Sequence, residues 1–337
     1  MTPTRQRLLG LLADGSLHSG AKLAAELGIS RTAVWKEVAE LRSRGIGIAS
    51  EDRRGYRLER SVELIDERRI RQAALDSGGS LPADLEVLFE VDSTNEFLYA
   101  AAAPAPGRPR LVIAELQRAG RGRRGRSWLA PFGSGLTFSI GWTFVDQPAD
   151  LAALSLAMGV QVVRGLQALG LRAVELKWPN DVVVGPRKLG GLLTQLRLEA
   201  GGPAYVVVGL GLNIDLPRTT REAVAATDAS PPCDLRELSG GAAPGRNRTA
   251  ASVATAMLAG LEEFSHSGFA PFAAAWRELD SLADEPVRIV VGERSVEGVA
   301  RGADPGGALR VEIDGHVERF FSAEVSVRRP LAARGNA

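Results

Sequence analysis

The chain has one cysteine, three histidines, few aromatic residues and an almost balanced charge. It also lacks any apolar run approaching the roughly 20 residues a membrane helix needs. Each shortage excludes something. Cys233 cannot form an intrachain disulfide, and its loop-like surroundings argue against a metal cluster, so it is expected to be an incidental thiol. The first ten residues hold no apolar stretch ending in a small-residue cleavage site. A cytoplasmic protein with no membrane partner is therefore expected. A net charge of +1 excludes a polycation that binds nucleic acid indiscriminately. What remains is 337 residues at 45% hydrophobic content, enough for a full core and, by length, two or three domains.

Positive charge is concentrated instead. Gly120-Arg121-Gly122-Arg123-Arg124-Gly125-Arg126-Ser127-Trp128 interleaves four arginines with three glycines, with Arg118 just upstream and no acid among them. Guanidinium groups present forked donors to phosphate and carboxylate oxygens, and the glycines let the backbone close over a ligand. The segment reads as an anion clamp on a loop.

Residues 1–60 hold 11 Lys/Arg against 7 Asp/Glu, which permits a nucleic-acid partner. Short helices are predicted over 5–13 and 20–27, Gly28-Ile29 as a turn, Ser30 as an N-cap and a third helix over 31–44 with Val34, Val38 and Leu41 inward. This is helix-turn-helix spacing. It leaves Arg31, Thr32, Trp35 and Lys36 on the outer face, where a recognition helix meets the major groove. Two strand-like runs between 46 and 58 resemble the wing of winged-helix domains, with Arg53, Arg54 and Arg57 placed to reach phosphates. Trp35 either faces DNA or packs on the neighbouring domain. A regulatory or dimerisation module with solvated arginines is the other reading of the whole unit.

From 63 onward a polar helical connection ends in Ser77-Gly78-Gly79-Ser80. Strand-like runs follow at 85–91, 110–116, 135–144, 172–177, 188–198 and 204–212, interrupted by an amphipathic helix over about 149–169. A mixed α/β architecture with a mainly antiparallel sheet is expected, since several connections are too short for helical crossovers. Polar residues gather at the ends of these runs. Ser93, Thr94 and Asn95, after Asp92, either cap a helix or meet a ligand. Gln117 leads into the arginine loop, and Pro179 sets Asn180 and Asp181 in a turn. Helices over 248–265 and 269–280 precede short strands at 287–291, 296–301, 308–313 and 317–321, which indicate a small barrel.

Four motifs occur in one order: G-R-G-R-R-G-R-S-W at 120–128, K-W-P-N-D at 177–181, K-L-G-G at 188–191 and G-L-G-L-N-I at 209–214. Each alone is a weak signal, but the ordered set resembles biotin protein ligases. With a winged helix ahead of it, the chain is similar to the bifunctional biotin protein ligase and biotin operon repressor family, up to Arg328. The resemblance implies an α+β multidomain fold. Its parts are a winged helix-turn-helix over 1–62, a mixed α/β ligase domain of class II synthetase-like type over 63–282, and an SH3-like β-barrel over 283–330. Ser127 departs from the lysine common there, and 217–247 aligns poorly and is expected to be a variable loop.

The resemblance further implies formation of biotinyl-5′-AMP from biotin and ATP, then transfer of biotin to a lysine of a biotin carboxyl carrier protein. Ser93, Thr94, Asn95, Gln117, Arg121, Gly122, Arg123 and Lys188 would form the biotin site. Arg124, Arg126, Trp128, Asn180 and Asn213 would lie on the ATP side, and Arg301 and Arg328 are either nucleotide contacts or surface charges. Catalysis is expected from Arg121, Arg123, Lys188 and Asp181, the last either orienting the carrier lysine's proton or only forming a turn. Trp128 packs against adenine or into the core. Mg2+ is expected as a counter to the triphosphate, with no dedicated metal site. Operator DNA would be met by Arg31, Thr32, Trp35, Lys36, Arg53 and Arg54, by a homodimer loaded with the adenylate. A biotin-sensing repressor without ligase activity and a lipoate ligase are the competing readings.

Overall fold

The computed structural model describes residues 2–51, 54–198, 203–227, 230–291, 294–321 and 325–328. At the N-terminus, α1 (Pro3–Leu12), α2 (Gly20–Leu27) and α3 (Arg31–Ser43) precede a hairpin of β1 (Ile48–Glu51) and β2 (Gly55–Leu58). The turn between α2 and α3 forms as its residues dictate. Gly28 adopts φ 67°, a left-handed C-cap, and the Ser30 hydroxyl accepts from the Ala33 N–H at 3.1 Å. Leu8, Leu9, Leu12, Leu23, Val34, Val38 and Leu41 make the shared core. The hairpin is fastened to the loop before α2, where His18 and Tyr56 exchange two backbone hydrogen bonds. Gly55 allows that approach, since a Cβ there would lie 2.0 Å from the His18 carbonyl oxygen. The hairpin's expected Arg53 lies outside the described residues.

The central domain comprises α4 (Glu67–Asp76), β3 (Asp84–Val91), α5 (Thr94–Ala100), β4 (Arg110–Gln117), β5 (Gly135–Phe144), α6 (Leu154–Gln167), β6 (Glu175–Lys177), β7 (Asp181–Val184), β8 (Arg187–Leu198) and β9 (Ala204–Asn213). After it come α7 (Arg218–Ala225), α8 (Leu235–Leu238), α9 (Arg246–Ser267) and α10 (Ala273–Leu279). Its sheet runs β3-β4-β5-β9-β8-β7-β6, with β3 and β4 parallel and the remaining pairs antiparallel. β5 is buried at every position because α9 packs on one face, through Phe144 on Phe264, and α5 on the other, through Ser139 on Asn95. Alternating strand direction then gathers the end of β4, the start of β5, the end of β9 and the start of β8 along one margin. That margin carries all four motifs.

Four expectations need correction. The run at 172–177 is a strand only over Glu175–Lys177, and Asp181 is not a turn residue but the first residue of β7, a short strand paired with β6 and β8. The helix expected at 149–169 begins as a 3-10 turn at Leu151–Ala153 before α6. Residues 217–247, read as a variable loop, contain α7 and α8.

The C-terminal domain is one five-stranded sheet in the order β13-β12-β11-β10-β14, from β10 (Pro286–Val291), β11 (Arg294–Ala303), β12 (Leu309–Ile313), β13 (His316–Phe320) and β14 (Val325–Arg328). Buried polar contacts tie the segment after the hairpin to the sheet. Arg246 Nη1 meets Glu115 Oε1 at 2.5 Å, both about 95% buried, and also donates to the Glu63 carbonyl at 2.9 Å. Its Nε and Nη2 donate to the Gly135 carbonyl.

Candidate active site

Beneath the arginine loop lies a cavity of about 390 Å³. Its lining includes Ser93, Thr94, Asn95, Gln117, Arg121, Gly122, Arg123, Arg126, Trp128, Asn180, Asp181, Lys188 and Asn213. Of the residues assigned to the biotin and ATP sites by the four motifs and the Ser93–Asn95 and Gln117 positions, Arg124 stands outside that lining. It adopts φ 58° in a 3-10 turn at Arg123–Gly125.

One end of the cavity is a buried polar cluster. Ser93 occupies the N-cap position of α5 but makes no side-chain capping bond there. Gln117 Oε1 accepts from the Thr94 N–H at 2.8 Å and the Thr94 hydroxyl at 3.1 Å. Ser139 Oγ lies 2.7 Å from Thr94 Oγ1 and 2.6 Å from Asn95 Oδ1, yet it has one proton to give. Asn95 Nδ2 donates to the Leu193 carbonyl and to Gln195. Acceptors therefore outnumber donors at this end.

The other end is charged. Lys188 Nζ lies 2.6 Å from Asp181 Oδ1, so two residues that sequence treats separately form one ion pair. Arg123 Nη1 donates to Asn180 Oδ1 at 3.2 Å. Burial, then the Arg124 guanidinium, holds Arg123 below the usual arginine range, with Asp181 opposing. The acids missing from the loop itself arrive from elsewhere: Glu96 on α5 meets Arg121 at 3.0 Å, and Asp92 meets Arg118 at 3.0 Å. The loop closes on itself through Gly122 N–H to the Arg126 carbonyl and Trp128 N–H to the Gly120 carbonyl.

Trp128 lies flat against β9. A Cβ on Gly211 would come within 2.4 Å of its indole, and Lys188 Nζ sits 5.8 Å from its ring centre. Asn213 also lines the cavity, but its Nδ2 is engaged by the Lys188 and Cys233 carbonyls. Cys233 is fully buried and not loop-exposed, and burial pushes its thiol up to about 11, against the pull of Arg187. Sequence reasoning missed a whole wall. Leu216, Thr220, Val224, Thr227, Ser230 and Pro232 close the cavity, and the signal was Pro217 before the amphipathic R-T-T-R-E-A-V-A of α7.

Comparison with known proteins fits this geometry. Residues 89–213 match the Biotin/lipoate A/B protein ligase family, and residues 4–57 match an HTH domain. The chain is 36% identical over 321 residues to the bifunctional ligase/repressor BirA of Salmonella typhimurium, covering 95% of this chain and 96% of that one. The chain belongs to the biotin/lipoate A/B protein ligase family. Another relative is the biotin--[acetyl-CoA-carboxylase] ligase of Mycobacterium tuberculosis, 34% identical over 77% of this chain and 95% of its own. Among solved structures, this family member is similar to the Aquifex aeolicus biotin protein ligase in complex with biotin and ATP. That match has a TM-score of 0.61 at 27% identity and covers 74% of this chain and all of that one.

Outside the cavity the expected contacts divide. Arg31, Thr32, Trp35 and Lys36 lie exposed on α3, and Trp35 does not pack on the neighbouring domain. Arg54 is held by Glu51 at 2.8 Å. Arg301 pairs with Asp284 and Glu312 and is not part of the cavity lining. The Arg328 side chain lies outside the described residues. No helix among the described residues is long and apolar enough to cross a membrane.

Proposed function

We propose that this chain is an ATP-dependent biotin protein ligase and a biotin-responsive transcriptional repressor, located in the cytoplasm. The observation that carries the ligase reading is the two-ended cavity. Its acceptor-rich end suits the ureido N–H groups of biotin, and its cationic end suits a carboxylate facing a triphosphate.

Adenylation joins a biotin carboxylate oxygen to the α-phosphorus of ATP and expels pyrophosphate. Arg121, Arg123 and Arg126 neutralise the opposed anions, and Lys188, held by Asp181, stands where charge accumulates on the α-phosphate. In the second step a carrier lysine attacks the acyl carbon, AMP leaves, and Asp181 takes or orients the proton of the incoming amine. That amine, with an ordinary pKa near 10.4, is otherwise protonated at neutral pH. Asn180, Trp128 and Asn213 frame the nucleotide. Magnesium arrives with ATP: the polar groups here are mostly cations, amides and hydroxyls, and the one carboxylate of the lining among the described residues is engaged by Lys188.

Incubation with biotin, ATP and a biotin carrier domain should add one biotin to the carrier by mass spectrometry. Unchanged carrier mass with folded protein would remove the reading.

The three-helix unit and its wing are proposed to bind operator DNA within a domain over 1–62, followed by a class II synthetase-like ligase domain over 63–282 and an SH3-like domain over 283–330. Deletion of 1–62 should abolish operator binding. A homodimer of the adenylate-loaded chain belongs to the same proposal. β7 pairs with β8 only as far as Gly191, and Leu196 and Leu198 are exposed on the open half. Light scattering with and without biotin and ATP tests it, a constant monomer mass being the contrary result.

A further inference from the structure

The five tryptophans of the chain are not equivalent. Trp142, Trp178 and Trp276 are buried, Trp128 is half-buried against β9, and Trp35 is 58% exposed. Trp35 lies on α3, whose inner face of Val34, Val38 and Leu41 is sealed in the core. At 100° per residue, Thr32, Trp35 and Ala39 form one outward stripe, with Arg31 and Lys36 beside it. All five are exposed. The carboxylates of the helix are turned elsewhere: Glu37 meets Arg5 at 2.5 Å and Glu40 meets Arg44 at 3.0 Å. The stripe is thus a large apolar ring between cations, with no acid on it.

This surface narrows what could cover it. The flanking cations favour a polyanion, and the helix-turn-helix geometry presents the stripe to a major groove. In that groove the base edges offer donors, acceptors and one apolar group, the C5-methyl of thymine. An indole cannot form the two-bond pairs that arginine makes with guanine or asparagine with adenine. Its broad face matches the methyl.

We propose that Trp35 is a specificity-determining residue that reads thymine by packing its indole on the C5-methyl, while Arg31 and Lys36 hold the backbone. The inference rests on the DNA-binding reading of the N-terminal domain and adds the base chemistry to it.

The test uses the full chain with biotin and ATP to select duplexes from a random 40-base-pair pool, after which each selected thymine is replaced singly by deoxyuridine, which lacks only the methyl. At one or more positions the wild-type protein should lose about fourfold in affinity, the transfer value of roughly one buried methyl group. Trp35→Ala should be insensitive at those positions, and Trp35→Leu, which keeps an apolar side chain, should retain part of the dependence. Wild-type binding indifferent to deoxyuridine at every thymine overturns the inference while leaving DNA binding intact. An undiminished methyl dependence in Trp35→Ala overturns it as well. Failure to enrich any sequence removes the DNA-binding reading itself, and this inference with it.

Discussion

Lys188 and Asp181 face each other because β8 carries one extra residue. Asp181 pairs with Gly191 and Val182 with Gly190, but Val183 pairs with Lys188, so Leu189 is the bulged position. Paired residues share a face and alternate residues alternate faces. Without the bulge Lys188 would lie opposite Val184, on the far side of the sheet from Asp181. One residue of register therefore delivers the amine to the cavity.

Lys188→Met and Asp181→Asn should each slow adenylation on the order of a hundredfold, the usual cost of removing one preorganised charge contact. Because they act as a pair, the double variant should lose much less than the product of the single losses. Biotin-dependent pyrophosphate release measures this, and multiplicative losses would contradict it.

Arg123→Ala should weaken retention of biotin and of the adenylate at least tenfold while changing unfolding stability by less than about 1 kcal/mol. The residue sits in a loop closed by its own backbone bonds, so its removal opens no core. Calorimetric titration and thermal unfolding on the same sample separate the two effects. A large fall in Tm with normal affinity is the outcome that contradicts it.

Gly211→Ala adds a single methyl where the Trp128 indole lies 2.4 Å away. The ring must shift off β9, and with it the wall next to Lys188. KM for ATP should rise tenfold or more with little change in expression or fold. Unchanged ATP kinetics would show that Trp128 takes no part in the nucleotide subsite.

Asp280 follows α10 and bridges Leu176 of β6, 8% exposed, with one carboxylate oxygen unpartnered among the described residues. Burial pushes its carboxyl up to about 6, the Leu282 N–H opposing and Asp284 and Glu175 adding to the rise. A folded-state value above the unfolded one of about 3.9 favours folding most when the group is protonated, so this contribution is full below about pH 4 and lost as pH rises through 6. The two-unit difference corresponds to about 3 kcal/mol. Asp280→Asn keeps an acceptor for Leu282 without the charge. Its stability relative to wild type should climb between pH 4 and pH 7 in denaturant unfolding, and a flat difference would refute the assignment.

Arg246→Met should destabilise the chain by about 3–5 kcal/mol, since it leaves Glu115 charged and buried. Pairing it with Glu115→Gln should recover part of that loss in the same unfolding assay.

Local rules made much of this molecule legible. The caps at Ser30 and Gly28, the stripe at Val34, Val38 and Leu41, and the strand runs that became β3, β4, β5, β8 and β9 each depend on residues within a few positions of one another. The strand at Asp181–Val184 was hidden because Pro179 and Gly185 make its surroundings read as turns. The wall from Leu216 to Pro232 was hidden because its composition resembles a loop and only packing gives it a partner.

By itself the sequence determined the order of the domains and the type of each long element, since these are written in short-range periodicity and spacing, and its four ordered motifs carried the resemblance to a family. The tertiary structure alone decided which charges meet. The acids that hold Arg121 and Arg118 come from α5 and the residue after β3, the bulge at Leu189 brings Lys188 to Asp181, and the α3 carboxylates Glu37 and Glu40 both reach Arg5 of α1, leaving Trp35 in solvent. Pairings of that kind depend on register and on distances between residues remote in the chain, and no local pattern of side chains encodes them.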